Sequence, residues 1–151
     1  MSMSVKMVQE EVGSVVHRPA HYVLGRTIEP IEVIESWGLI QNHYLACAFK
    51  YVARLGRKGD PLLDLKKALW YLDRFEKKGA FLKKCVEKGA VTPEALCADW
   101  GLSRSDTKAQ ILQSFYDVAW GQENRVTDLK KLICQLRTSL LPKQLHAGAV
   151  L

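Results

Sequence analysis

This chain lacks closely spaced cysteines. Among 151 residues there are four, with no C-x-x-C pair and no His/Cys spacing of the kind that holds zinc. We find neither an export signal nor a run near the roughly 20 apolar residues of a membrane span. We therefore expect a cytoplasmic protein with reduced thiols and no membrane contact. The cysteines are Cys47, Cys85, Cys97 and Cys134.

The two glycine-rich loops that most often bind nucleotides are also missing. The sequence has no G-x-x-x-x-G-K-[ST] loop and no G-x-G-x-x-G turn. This excludes a conventional P-loop kinase and a Rossmann dinucleotide site on motif grounds. No nucleophilic triad can be assembled with any specificity.

Candidate metal ligands are too few and too poorly arranged to predict a metal site. His17 and His21 lack a helix or an H-E-x-x-H arrangement that would fix their geometry. Glu29, Glu32 and Glu35 form an acidic face, but no second carboxylate pair accompanies them. Helical nucleotide pyrophosphohydrolases use two such pairs to hold magnesium, so metal-assisted hydrolysis is disfavoured and no resident metal is predicted.

What the sequence does contain is the pattern of an all-α protein. With 48% hydrophobic and 25% charged residues, it has the composition of a globular chain, and nothing in it predicts a strand pair. Apolar residues recur at helical spacing, as at Ile31, Ile34 and Trp37, and proline or a capping residue opens several of these segments. Helices are predicted at about 30–38, 42–55, 60–79, 92–100, 106–120 and 126–140.

The predicted organisation has three parts. Residues 1–16 carry no periodic pattern and are predicted to be a loose arm. Residues 17–79 are predicted to be a small helical domain, because a change in composition follows at 79–89. Residues 80–151 are predicted to be a helical C-terminal extension whose role the sequence does not indicate.

The most informative feature is a surplus of positive charge around the second predicted helix. No acidic residue stands between Glu35 and Asp60, and the chain as a whole has a net charge of +6. Guanidinium and ammonium groups gathered in this way bind phosphate, and the flanking Gly56 and Gly59 allow a close approach to a ligand. The alternative is a solvated helix face whose cations pair with nearby carboxylates, Asp64 among them. The cations are Lys50, Arg54, Arg57 and Lys58.

A second pattern, at 92–112, is that of a helix–turn–helix. Cys97 precedes the turn glycine Gly101 by four residues, which suits close helix packing. Arg104 and Lys108 are the only cations of the second helix, however, and polar residues stand where such a helix presents apolar ones to the core. We keep as an alternative function a non-enzymatic effector or regulator that binds nucleic acid or another protein through this unit and the basic face.

Four motifs follow one another in order over about residues 17–76. They are His17-x-Pro19-x-His21-Tyr22, Ile28-Glu29-x-Ile31-Glu32-x-Ile34, Lys50-Tyr51-x-x-Arg54-x-Gly-x-Lys58 and Asp64-Leu65-x-Lys67-Ala68-x-x-Tyr71-Leu72. The series resembles the SaV-like family of small phage proteins, a domain of unknown function that includes the nucleotide kinase of bacteriophage T7. Where family members carry Gly-Asn, this chain has Ala46-Cys47, so substrate identity and catalytic activity stay open.

The resemblance implies a nucleotide-binding protein that acts as a nucleoside monophosphate kinase without a P-loop. ATP or another nucleoside triphosphate would donate the phosphate, and a dependence on Mg²⁺ stays open. A homo-oligomer is expected, because so short a helical motif needs a neighbour to complete a pocket. If the chain is phage-encoded, its location is the host cytoplasm, and the alternative function is that of a phage effector or regulator that binds nucleic acid or a host protein.

Candidate roles follow for the residues of the four motifs. The phosphate clamp comprises the four cations named above, since phosphoryl transfer is catalysed mainly by positioning and charge stabilisation. Lys67 is assigned to substrate binding as well. Tyr22 or Tyr71 is assigned to stacking on a base. The residues assigned to orienting or deprotonating the acceptor are His21, Glu29 and Asp64.

Overall fold

A computed structural model describes residues 26–78, Val86 and residues 90–149, and over these residues the protein is all-α. It has six α-helices, one short 3-10 helix and no strand in this part of the chain, so the predicted fold class is confirmed. The arm at 1–16, His21 and Tyr22 lie outside the described residues. The elements are α1 (Pro30–Ser36), the 3-10 helix (Leu39–Gln41), α2 (His43–Ala53), α3 (Pro61–Lys78), α4 (Pro93–Asp99), α5 (Thr107–Ala119) and α6 (Arg125–Ala149).

Local capping determines where three of these helices begin. The side chain of Asn42 accepts a hydrogen bond from the backbone N–H of Leu45 at 3.1 Å and opens α2. Asp60 accepts from the N–H of Leu62 at 3.0 Å just ahead of α3, and Thr92 caps α4 through the N–H of Ala95. Capping side chains satisfy N–H groups that have no partner within the helix, which is why these starts were readable from sequence.

The last helix is longer than its sequence pattern predicts. The amphipathic pattern covers 126–140, whereas α6 runs Arg125–Ala149. Periodicity detects only the turns that bury a face, while backbone hydrogen bonds can continue a helix beyond them.

One hydrophobic core joins the helices on both sides of the region around residue 80. Phe49 of α2 is fully buried at its centre, edge-on to Trp37 at 5.8 Å and to Phe115 of α5 at 5.3 Å between ring centroids. Residues from α1 to α6 belong to this cluster. The division into a domain at 17–79 and an extension at 80–151 stays a prediction, but the described parts of both contribute to one core.

The buried face of α1 differs from the predicted one. Ile31 is 46% exposed, and the helix packs instead through Val33, Ile34 and Trp37, which are exposed by 2% or less. The predicted place of Ile31 in the core is therefore wrong. Helix α1 spans two turns only, so its contact face is narrow. This face includes Val33 and leaves out Ile31, although the spacing of Ile31, Ile34 and Trp37 suggested the opposite.

Polar contacts attach the later helices to the earlier ones. Lys130 of α6 bridges Asp73 and Glu76 of α3 at 2.5 and 2.6 Å. Asp99, at the end of α4, accepts hydrogen bonds from the backbone N–H groups of Thr27 and Ile28. The contacts of Asp99 bring the end of α4 close to the segment that precedes α1. Within the described residues, no helix is both long enough and apolar enough to cross a membrane.

Candidate functional site

The basic turn between α2 and α3 reverses the chain sharply. Gly56 and Gly59 adopt φ values of +77° and +74°, which side-chain-bearing residues rarely adopt. A Cβ at Gly59 would lie 3.3 Å from Nη2 of Arg54, so glycine also makes room for that guanidinium. The turn therefore separates the cations that the sequence places close together around the second predicted helix.

Arg54 is held in an ion pair with Asp64. Nε and Nη2 of Arg54 lie 3.0 and 2.9 Å from Oδ1 of Asp64, whose side chain is 1% exposed, while that of Arg54 is 24% exposed. Oδ2 of Asp64 is buried and accepts no hydrogen bond within the described residues. For Arg54 this geometry favours the alternative reading, a cation paired with a carboxylate. The role of Asp64 as acceptor base stays a prediction, and its contacts favour a role in positioning Arg54.

The other predicted residues occupy separate places. Lys50 and Lys58 are exposed to solvent, the first on α2 and the second in the basic turn. Glu29 is half-buried at the start of α1, where its carbonyl oxygen accepts from the N–H of Glu32 at 3.1 Å. His21 and Tyr22 lie outside the described residues, so their predicted roles stay predictions.

Two tyrosines and two cations form a continuous surface across α2 and α3, which we call the tyrosine face. The rings of Tyr51 and Tyr71 stack with their centroids 6.0 Å apart and an interplanar angle of 18°. Nζ of Lys67 and Cζ of Arg54 each lie 5.4 Å from the centroid of Tyr51. Tyr51 precedes Arg54 by three residues and Lys67 precedes Tyr71 by four, so each helix presents its pair on one side.

One end of the tyrosine face carries a histidine and a thiol. The His43 ring lies 5.9 Å from that of Tyr71, and Sγ of Cys47 lies 3.6 Å from Nε2 of His43. Desolvation raises the pKa of Tyr71, and the Cys47 thiol and the Tyr51 phenol raise it further, so Tyr71 is a neutral phenol at physiological pH. Sequence reasoning gave His43, Cys47 and Tyr51 no role at this site. Their spacing of four residues along α2 was the available signal.

Arg57 belongs to a different group of charges. Its positive charge lowers the pKa of both Arg26 and Lys108, in each case in addition to burial. Arg26 precedes α1 and Lys108 lies in the first turn of α5. The predicted phosphate clamp is thus divided, because Arg54 lies on the tyrosine face whereas Arg57 acts on Arg26 and Lys108.

The predicted helix–turn–helix is present as α4, a turn at Gly101 with φ +71°, and α5. Of its two cations, Arg104 is exposed, and Lys108 lies with Nζ 5.9 Å from the ring centroid of the largely buried Trp100. An open groove of about 830 Å³ runs between α4, α5 and α6. Residues on its walls include Cys97, Arg104, Gln110, Gln113, Arg125 and Lys131.

Comparison with known proteins gives a match to a family model over part of the chain. Residues 16–73 match the model of DUF3310, a family described as protein of unknown function, and this stretch contains α1, α2 and most of α3. No curated protein and no solved structure matches the chain. The described residues contain no group of three or more His, Cys, Asp or Glu side chains placed to hold a metal ion. The expected cytoplasmic location and homo-oligomer stay predictions.

Proposed function

We propose that this protein binds nucleotides on the tyrosine face. The observation that supports the proposal is the position of Lys67 and Arg54 at 5.4 Å from the Tyr51 ring, beside the stacked ring of Tyr71. An aromatic surface stacks on a base, and a cation next to it binds the phosphate that the same ligand carries. Few ligands other than nucleotides require both.

Within this face the two cations have different tasks. Arg54 is already engaged by Asp64, so it contributes fixed positive charge and holds the surface in place. Lys67 has a flexible stem and three donors, and its nearest described aromatic partner is the Tyr51 ring, so it is the group that contacts phosphate directly. The exposed Lys50 and Lys58 provide further charge for an approaching anion.

The resemblance to the SaV-like phage family adds a reaction to this binding. In phosphoryl transfer, an oxygen of the acceptor nucleotide attacks the terminal phosphorus of a nucleoside triphosphate, and the bond to the leaving diphosphate breaks. Positioning and charge stabilisation do most of the catalytic work in such reactions. Ala46-Cys47, which replaces the family's Gly-Asn, puts a thiol beside His43 on the tyrosine face, at the place where the nucleotide is expected.

A calorimetric titration with single nucleoside mono- and triphosphates tests the binding. We expect saturable binding that Lys67→Met weakens about 10-fold or more, because a charge-assisted contact to phosphate is lost. Lys66→Met is the matched control, since Lys66 is the exposed neighbour on the same helix and the variant has the same net charge. Equal affinity for the wild type and Lys67→Met, or no binding of any nucleotide, would refute the proposal.

Two further measurements test whether the protein is a kinase and whether it instead binds nucleic acid. Conversion of a bound monophosphate to its diphosphate with ATP present would establish a kinase, and binding without turnover would leave a nucleotide-binding protein. A nucleic-acid binder would instead show no preference for single nucleotides, and its affinity for a short duplex would fall steeply with salt.

A further inference from the structure

Three cationic side chains from distant parts of the sequence meet at the C-terminal end of α2. Nη2 of Arg26 donates a hydrogen bond to the carbonyl oxygen of Ala53 at 2.9 Å. Nζ of Lys108 lies 3.5 Å from the carbonyl oxygens of both Ala53 and Leu55. Arg57, in the turn that follows, is close enough for its charge to act on both. We call Arg26, Arg57 and Lys108 the cationic cluster.

An indole ring forms one wall of the cationic cluster. Cζ of Arg26 lies 3.8 Å from the ring centroid of Trp100, and Nζ of Lys108 lies 5.9 Å from the same point. The indole N–H of Trp100 donates to the carbonyl oxygen of Ile28 at 2.9 Å, which fixes the ring. Stacking on an aromatic face orients a guanidinium but satisfies none of its in-plane N–H donors.

The guanidinium of Arg26 is buried with donors unused. Arg26 is 8% exposed, and its Nε and Nη1 have no hydrogen-bond partner within the described residues. Buried donors are nearly always satisfied, because leaving one without an acceptor forfeits its interaction with water. Two unsatisfied nitrogens on one charged side chain therefore indicate an acceptor that the described residues do not provide.

Within the described residues, the charges that act on Arg26 and Lys108 are mostly positive. The carbonyl end of a helix carries roughly half a unit of negative charge. Asp99 is the acid that acts on Arg26, and its Oδ1 accepts from the N–H and the hydroxyl of Thr27 while its Oδ2 accepts from the N–H groups of Thr27 and Ile28. Burial, then the charges of Arg26 and Arg57, lowers the pKa of Lys108 to about 7. The cluster is thus under repulsion that an anion would relieve.

We propose that Arg26, Arg57 and Lys108 form a binding site for a phosphate group, either free inorganic phosphate or the phosphate of a larger ester. Guanidinium forks match the oxygens of phosphate bidentately, and the lysine adds a point charge. Arg57 and Lys108 are only partly buried, so these two side chains are the ones that an anion from solvent contacts first. The inference does not rest on the proposed function, because its three side chains are not those of the tyrosine face.

Titration with inorganic phosphate at constant ionic strength tests the site. We expect phosphate, but not chloride, to raise the melting temperature of the wild type with increasing concentration. Lys108→Met retains the apolar stem and should weaken phosphate binding about 10-fold or more. Lys131→Met on α6 is the control, because it removes an exposed cation and reaches the same net charge. Equal phosphate affinity in the two variants would overturn the proposal.

A second measurement needs no variant. Sulfate does not titrate near neutral pH, so calorimetry of the wild type with sulfate at pH 8, in buffers of different ionisation enthalpy, reports protons taken up by the protein. We expect an uptake approaching one proton, because a bound dianion stabilises the charged form of Lys108. Binding without proton uptake, or no binding of sulfate at pH 6, would overturn the assignment of Lys108.

Phosphate and nucleotide titrations of the variants distinguish the two possible sources of the phosphate. They also distinguish failure of the cationic cluster from failure of the proposed function. If a nucleotide places its phosphate in the cluster, inorganic phosphate competes with it and Lys108→Met weakens both. If free phosphate is the ligand, Lys108→Met weakens phosphate alone. Loss of nucleotide binding in Lys67→Met, together with unchanged phosphate affinity in Lys108→Met, would sustain the proposed function and refute the cationic cluster.

Discussion

Replacing Asp64 by asparagine separates a structural ion pair from a catalytic carboxylate. Asp64 is 1% exposed and holds two nitrogens of Arg54 through a single oxygen, which connects the end of α2 to the first turn of α3. Asp64→Asn keeps the shape of the side chain and removes its charge. The guanidinium of Arg54 then faces a neutral amide, and the loss appears as a lower free energy of unfolding.

The magnitude follows from the burial of the two partners. Removing one member of a fully buried ion pair costs about 3–5 kcal/mol. The side chain of Arg54 is 24% exposed and recovers part of its hydration, so we expect a loss of about 2–3 kcal/mol for Asp64→Asn. For a chain of this size that loss lowers the melting temperature by about 5–10 °C.

Urea unfolding followed by circular dichroism measures the effect, and the same helix offers a matched control. Asp73 pairs with Lys130, but its side chain is 48% exposed, so Asp73→Asn should change the free energy of unfolding by less than about 1 kcal/mol. The double variant Arg54→Leu/Asp64→Leu should recover much of the stability lost in Asp64→Asn, because no buried charge is left without its partner. Equal, small losses in the two asparagine variants would refute the view that Asp64 has a structural role.

Three further predictions concern the cationic cluster, the basic turn and the core. Burial and the neighbouring arginine charges lower the pKa of Lys108 to about 7 from its ordinary value of 10.5, so between these pH values the unfolded chain binds more protons than the folded one. In chloride buffer the free energy of unfolding should therefore rise with pH through that window, by at most about 1.4 kcal/mol per unit, and urea titrations of Lys108→Met should lack that rise. Gly59→Ala should lose about 1 kcal/mol or more in the same assay, since φ is +74° and the new Cβ would lie 3.3 Å from Nη2 of Arg54. Phe49→Ala should lose about 3–5 kcal/mol, because the ring is fully buried against Trp37, and a loss below about 1 kcal/mol would contradict the packing.

Much of the helical architecture was predictable because helix starts and buried faces obey local rules. Asp60 followed by Pro61 marked the start of α3, and Thr92 followed by Pro93 marked that of α4, since capping depends on residues within one turn. The misplacement of Ile31 arose where a two-turn helix has too few residues for periodicity to fix its rotation. The end of α6 was missed because its pattern covers only 126–140.

The candidate site was only partly predictable. The sequence predicted substrate-binding residues among the cations at 50–58 and at Lys67 and Tyr71. The structure brings Arg54, Lys67 and Tyr71 together on one face. The sequence did not predict that Tyr51 would contact these residues, or that His43 would lie beside Tyr71 at the edge of the tyrosine face. Those contacts depend on how α2 and α3 are rotated about their axes, which is decided when their apolar faces pack.

By itself, the sequence determined the helices, the residues that can be buried together and the surplus of positive charge, because each depends on neighbours within one or two turns. Only the tertiary structure decided how that charge is divided. Two glycines with positive φ lie in the turn between Arg54 and Asp64, which form an ion pair, while Arg57 between these glycines acts on Arg26 and Lys108. Residue type does not specify the path of such a turn, and α1, α2 and α5 must pack into one core before the cationic cluster exists.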